Sequence, residues 1–255
     1  MEWPIFDVST IVGYLPLYVE GLIITLQLVL LSLVIGFVCA LFLAIGRAQG
    51  PKWLSGVIWC YTYCFRGTPL LVQLFLIYFA GAQFNESLRE LGIWEIDFGT
   101  IYLLPFSMGL DVGKIGFAQP WFCALLAFVL NTTAYTTEIL QGAIRATARG
   151  EIEAARAYGM SPNLTLRRII LPSALRRALP AYGNEIIFML HGSAIASVIT
   201  IHDLTGAARL VNSRTYAPFE AFITAGLFYL ALTFVIVGIF KILEKRLYRH
   251  LQSAR

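Results

Sequence analysis

Apolar residues fill this chain in five long stretches that are apolar on every side, and short polar segments separate them. The stretches lie at roughly 21–45, within 53–83, and at roughly 120–143, 179–201 and 219–243. A helix needs about 20 apolar residues to cross a bilayer, and each stretch approaches that length. Length and low charge, rather than a one-faced periodicity, therefore predict membrane-spanning helices. The pattern reads as an all-α integral membrane protein, a single transmembrane domain over 1–255 with five spans.

The second stretch is the least regular. Trp53, Trp59, Tyr61, Tyr63 and Phe65 crowd its front half, Arg66-Gly67-Thr68-Pro69 follows, and a clean apolar run from Leu70 to Ala80 completes it. Trp and Tyr favour the membrane interface, and Pro69 opposes a continuous helix. Two paths fit: an interfacial approach followed by a span starting near Gly67, or one kinked helix with Arg66 inside the membrane. The first is favoured, because a charge in mid-membrane is expensive.

Composition removes the soluble alternatives. Hydrophobic residues make up 58% and charged residues 13% of the 255, and mean hydropathy is +0.73. Soluble domains carry about 25% charged residues, so no large soluble domain fits beside the spans. The net charge of +4 is a topology signal rather than a nucleic-acid signal once the charges are placed. Arg47 and Lys52 follow the first span. Arg145, Arg149, Arg156, Arg167, Arg168, Arg176 and Arg177 lie between the third and fourth, and Lys241, Lys245, Arg246, Arg249 and Arg255 end the chain. The opposite side holds only Arg89, Lys114, Arg209 and Arg214. The positive-inside rule then predicts the N-terminus outside, the C-terminus in the cytoplasm, residues 144–178 as a cytoplasmic insert and 84–119 as an outer loop with a short helix.

The first sixteen residues carry Glu2 and Asp7 and no Lys or Arg, unlike a secretory signal, so the first span is expected to be retained. Cys39, Cys60, Cys64 and Cys123 all lie in apolar runs, without a second Cys/His pair, and are predicted to be free, buried thiols and not zinc ligands. His202 and Asp203 lack a third ligand. Asp203 reads instead as the N-cap of a helix beginning near Leu204, and His250 as a solvated tail residue.

The cytoplasmic insert reads as two short helices with a tight corner. Gly150-Glu151 opens the first, with acids where the helix dipole favours them. It runs to about Tyr158, and Gly159 takes the left-handed cap. Ser161-Pro162 is an N-cap followed by proline at the first helical position. The second helix is expected to stop at Pro172. Ala154, Ala155 and Ala157 make the first helix slim enough to enter a groove on another protein, with Tyr158 and Met160 as anchors. A solvated basic loop that only sets topology is the plainer alternative.

The spacing within this insert is specific. Glu153-Ala154-Ala155, Gly159 and Ile169-Ile170-Leu171-Pro172 resemble the E-A-A-x3-G-x9-I-x-L-P loop of bacterial ABC-importer permeases, at every fixed position. Gly21-Leu22-Ile23-Ile24-Thr25-Leu26, Arg66-Gly67-Thr68-Pro69-Leu70-Leu71-Val72-Gln73 and Asn131-Thr132-Thr133-Ala134-Tyr135-Thr136-Thr137-Glu138 resemble signatures of the permeases for polar amino acids. The resemblance spans residues 18 to 245. It implies the type I importer fold in the bacterial inner membrane, a homologous partner permease in a heterodimer, an ATPase dimer that binds ATP and Mg²⁺ in place of this chain, and a periplasmic binding protein. It also implies that Glu153, Ala154, Ala155, Ala157, Tyr158 and Gly159 couple to the ATPase. Where many relatives carry a Lys-x-Thr-Ser-Leu stretch, this chain has His191-Gly192-Ser193-Ala194-Ile195. That variant resembles the M-type permease branch serving histidine, lysine, arginine, ornithine and opines. Removing a fixed cation suits a cationic substrate.

Residues for a substrate path come from the spans. Asn131, Tyr135 and Glu138 share one helical face, and Asn184, Glu185, His191 and Ser193 lie on the fourth span. Ionisable residues inside spans face the bundle interior and are functional by default. A structural reading stands beside this one: Glu138 could pair with Arg145 or join a network between spans, Glu185 could pair with Arg176 or Arg177, and His191 could be a neutral imidazole bonded to a neighbouring helix.

The sequence has no phosphate-binding loop with Lys and Ser/Thr and no catalytic or metal constellation. The expectation is a transport subunit and not an enzyme. A gated channel for small polar solutes is the rival reading, and a membrane-embedded enzyme built on Glu138 and Glu185 the weaker one.

Overall fold

The computed structural model describes residues 12–92, 95–97 and 114–247. Glu2, Asp7, residues 93–94 and 98–113 of the 84–119 loop, Arg249, His250 and Arg255 lie outside the described residues. In chain order the elements are α1 (Leu15–Gln49), α2 (Lys52–Gly67), α3 (Leu70–Gln83), α4 (Asn85–Glu90), a two-residue antiparallel pair β1 (Ile96–Asp97) and β2 (Lys114–Ile115), α5 (Pro120–Arg145), α6 (Arg149–Ala157), α7 (Pro162–Thr165), α8 (Leu171–Gly192), α9 (Leu204–Thr215) and α10 (Pro218–Leu247). A π turn at Leu166–Ile170 joins α7 to α8, and a 3-10 turn at Ser193–Ile199 follows α8.

Among the described residues three helices are long and apolar enough to cross a membrane: Leu15–Gln49, Pro120–Arg145 and Pro218–Arg246. Two interrupted pairs, α2 with α3 and the Pro162–Ile199 segment with α9, qualify as one span each, giving up to five. The predicted stretches thus fall on helices, with wider bounds. α1 extends beyond 21–45 because Glu20 and Arg47 continue the helix at its ends instead of terminating it.

The second stretch breaks where proline requires it. Pro69 sits ahead of α3 with φ −61° and ψ 136°, and a residue before proline is pushed out of the helical region. The Gln73 amide fills the gap, donating to the Thr68 carbonyl at 3.0 Å and the Thr68 hydroxyl at 2.8 Å.

Pro172 does not stop the second helix of the insert, contrary to expectation. It is the second residue of α8, and Pro180 lies farther inside the same helix. Proline removes one backbone donor and crowds the preceding turn. The wide π turn immediately before Leu171, closed by the Leu171 N–H on the Leu166 carbonyl, opens that turn and lets the chain pass the ring.

The described residues form two compact units. The first draws on Met1–Ser32, Thr68–Val129 and Met189–Leu232. Its core joins Tyr18 of α1 to Leu204, Ala207, Ala208 and Val211 of α9 and Ala221 and Ala225 of α10. The Tyr18 hydroxyl donates to the Ala221 carbonyl at 2.9 Å, so its one polar atom is satisfied inside this core. Gly21 and Thr25, the two distinctive residues of the first signature, do one job here. A Cβ on Gly21 would lie 2.7 Å from the Asp203 carbonyl oxygen, so only glycine allows that approach. The Thr25 hydroxyl then accepts from the Leu204 N–H at 3.0 Å, and the Asp203 carboxylate caps α9 by accepting from Gly206 at 2.8 Å, as expected of an N-cap.

The second unit draws on Leu33–Gly67, Leu130–Phe188 and Thr233–Arg255. Its core is alanine-rich, with Ala40, Ala44, Leu140, Ala143, Ala174 and Ala178 at its centre. Small side chains let helices approach closely, which matters where lipid gives no hydrophobic drive between them. None of the four cysteines forms a disulfide, but only Cys123 is buried. Cys39, Cys60 and Cys64 are exposed on the chain's apolar surface. The expectation of burial failed because lipid-facing positions accept a thiol as readily as core positions do.

Candidate functional site

The insert between α5 and α8 is built as its sequence predicts, up to Pro172. α6 ends in a complete Schellman corner. Gly159 adopts φ +75°, its N–H donates to the Arg156 carbonyl at 2.9 Å, and the Met160 N–H donates to the Ala155 carbonyl at 3.0 Å. The Ser161 hydroxyl then accepts from the Leu164 N–H at 3.4 Å, with Pro162 at the first helical position. The corner is locked by backbone bonds and holds α6 out as a rigid knob.

The faces of that knob differ. Glu153, Ala154, Ala157, Tyr158 and Gly159 are exposed, Tyr158 at 89%. Ala155 is buried, so its side chain faces inward within the second unit and not outward with the others. Arg177 fixes the base of the insert: its guanidinium donates to the Ala143 carbonyl and the Thr147 and Ser173 hydroxyls. A cavity of about 720 Å³ lies behind α6, lined by Arg145, Arg149, Ile152, Arg156, Met160 and Ile170 among others.

A second constellation forms around Glu138, also within the second unit. Arg47 of α1 donates to the Glu138 carboxylate. The Thr62 hydroxyl of α2 donates to the same oxygen at 2.8 Å, and Arg47 also reaches Thr62 at 3.0 Å. The Arg66 guanidinium lies 3.5 Å from that carboxylate oxygen and 5.4 Å from the centroid of the Tyr135 ring. The Tyr135 hydroxyl donates to the Arg66 backbone carbonyl at 3.4 Å. Three helices thus converge on one acid, and motif residues of the second and third signatures meet in space.

This arrangement corrects two expectations. The described ion-pair partners of Glu138 are Arg47 and Arg66, not Arg145, which points to the cavity behind α6. Arg47 is not a solvated loop charge: it belongs to α1, with its side chain 10% exposed. Tertiary packing chose these partners, and no sequence spacing could signal a pair 91 residues apart.

Glu185 is buried at 6% exposure and receives a hydrogen bond from the Thr132 hydroxyl at 3.2 Å. The expected Arg177 is engaged elsewhere, on Ala143, Thr147 and Ser173. Asn131 is buried and Asn184 exposed in the second unit. His191 and Ser193 belong to the first unit, His191 exposed and Ser193 buried with its hydroxyl on the Leu190 carbonyl at 2.7 Å. Among the described residues no three His, Cys, Asp or Glu side chains are grouped to hold a metal ion.

Comparison with known proteins gives one consistent picture. The family described as "Binding-protein-dependent transport system inner membrane component" matches residues 32–249. The chain is 48% identical over 235 residues to the histidine/lysine/arginine/ornithine transport system permease protein HisM of Escherichia coli (strain K12), covering 92% of this chain and 90% of HisM. It is 42% identical over 247 residues to the nopaline transport system permease protein NocM of Agrobacterium fabrum (strain C58 / ATCC 33970), covering 97% and 94%. Among solved structures, a chain of an amino acid ABC transporter crystallised with histidines superposes with TM-score 0.75 at 34% identity, covering 96% of this chain and all of that one.

Proposed function

Because this chain belongs to the family of binding-protein-dependent transport system inner membrane components, we propose that it is the permease subunit through which an ATP-driven importer takes up basic amino acids or the opines related to them. It is a membrane transport subunit of the ABC importer type and not an enzyme. The single observation that carries the coupling is the knob at α6: an exposed face of Glu153, Ala154, Ala157 and Tyr158 held on a locked corner at Gly159.

In the proposed mechanism that knob sits in a groove of a separate ATPase dimer, which binds ATP and Mg²⁺. Closure of the dimer moves α6, and the movement passes through Ile152 into the core that holds Ala143 and Ala174. Five spans, with the N-terminus outside and the C-terminus in the cytoplasm, place residues 144–178 on the ATPase side and 84–119 on the periplasmic side. There a binding protein delivers substrate to the cavity shared with a homologous permease, the two forming a heterodimer. Asn131, Tyr135, Glu138, Asn184, Glu185, His191 and Ser193 contribute to the path. The HisM and NocM likenesses support a cationic substrate, as does a histidine where a fixed lysine would repel one.

The test is uptake into proteoliposomes that hold this chain, its partner permease and the ATPase. With ATP and loaded binding protein, labelled histidine, arginine, lysine, ornithine or nopaline should accumulate. Equal accumulation of glutamate would reject the cationic reading. Passive flux through this chain alone would reject the importer in favour of a channel.

A further inference from the structure

The Glu138 cluster holds more cation than its acid needs. Arg47 and Thr62 both hydrogen-bond the carboxylate, and the Arg47 side chain is 10% exposed. Arg66 stands at 3.5 Å with its side chain 43% exposed. The two arginines therefore have different jobs. Arg47 is the resident partner, because leaving would strand its charge in the packed interior. Arg66 can turn away and leave Glu138 still paired. Its guanidinium rests over Tyr135 at 5.4 Å, which orients the planar fork without occupying its N–H donors.

We propose that Arg66 receives the α-carboxylate of the transported amino acid, with Tyr135 as the positioning residue beneath it. This rests on the amino-acid importer reading above. An arginine fork matches a carboxylate with two parallel hydrogen bonds, which a lysine cannot reproduce. Glu138 keeps Arg47 when Arg66 turns away, and Glu185, buried and bonded to the Thr132 hydroxyl, interacts with Arg66 only through space. A substrate's carboxylate would give Arg66 a second anionic partner, since Arg66 shares Glu138 with the hydrogen-bonded Arg47 and is itself half-exposed. The carboxylate is common to every amino acid, so Arg66 confers recognition of the class and leaves side-chain choice to other groups.

The test is equilibrium binding of labelled L-arginine to the intact permease–ATPase complex in nanodiscs, without binding protein, competed by L-arginine and by agmatine. Agmatine keeps the guanidinium and lacks the carboxylate. The wild-type complex should favour arginine by about 10- to 100-fold, the range for a charge-assisted hydrogen-bonded pair. Arg66→Gln should bring that ratio to near one, and Arg66→Lys should retain an intermediate ratio. Tyr135→Phe keeps the ring and should keep the ratio, whereas Tyr135→Leu should lower it. A latch on Glu138 that never touches substrate would weaken both ligands equally and leave the ratio at its wild-type value, which overturns the proposal. If the wild-type complex binds basic amino acids no better than agmatine, the carboxylate has no site here and the proposal also falls. If it binds acidic amino acids and no basic ones, the substrate reading fails separately, while the carboxylate ratio can still be read on glutamate against γ-aminobutyrate, which lacks its α-carboxylate.

Discussion

Removing the members of the Glu138 cluster one at a time should give three different penalties, in an order set by burial. Glu138→Gln strands Arg47, whose side chain is 10% exposed and keeps only Thr62. Removing one partner of a buried pair costs about 3–5 kcal/mol, and the 25% exposure of the Glu138 side chain puts the expectation near the lower end, about 3 kcal/mol. Arg47→Gln leaves Glu138 with the Thr62 hydroxyl at 2.8 Å and Arg66 at 3.5 Å, so the loss is that of one charged hydrogen bond, about 1.5–3 kcal/mol. Arg66→Gln removes a half-exposed ion pair without a hydrogen bond, about 0–1 kcal/mol. In a chain of this size 1 kcal/mol shifts the melting midpoint by roughly 2–4 °C. Thermal unfolding of the complex in nanodiscs should therefore rank Glu138→Gln lowest, Arg47→Gln next and Arg66→Gln nearly at wild type. The double variant Arg47→Gln/Glu138→Gln should lose less than the two singles combined, since the second substitution removes the stranded charge. An Arg66→Gln loss as large as that of Glu138→Gln, or strict additivity of the double variant, would refute the division of labour between the two arginines.

Other consequences are direct. Gly159→Val forces a β-branched residue into φ +75°, a strain of about 1–3 kcal/mol. It should loosen the corner and uncouple ATP hydrolysis from uptake, read as futile ATPase activity in proteoliposomes. Ala154→Glu places a charge on an exposed face, whereas Ala155→Glu buries one at a position 3% exposed. The first should assemble normally and lose ATP-driven uptake, and the second should lower the yield of folded chain, as seen by size-exclusion of the complex. Gly21→Ala places a Cβ 2.7 Å from the Asp203 carbonyl oxygen. Backbone must shift to admit it, so overpacking of about 1–3 kcal/mol is expected, with a correspondingly lower melting midpoint and no effect if the approach is slack.

Local chemistry was legible in the sequence wherever a residue acts on its chain neighbours. The left-handed Gly159, the Ser161-Pro162 helix start and the Asp203 cap each follow from backbone rules a few residues long. The break at Pro69 was legible for the same reason. Pro172 misled because a π turn can absorb a proline, and nothing in the local residues signals that turn. Arg47 looked like a loop cation because it ends an apolar run, yet α1 carries it on into the second unit's interior. Its pairing with Glu138, like the inward turn of Ala155, depends on which helices pack together. Periodicity identifies faces and spans but not the partners opposite them.

The central claim is that α6 couples this permease to an ATPase. ATP hydrolysis by the affinity-purified complex in nanodiscs, with and without substrate-loaded binding protein, tests it most directly, with Ala154→Glu as the control. The account predicts hydrolysis stimulated by one loaded binding protein and silenced in the control. Purified wild-type chain that retains no ATPase, or hydrolysis indifferent to Ala154→Glu, would contradict it.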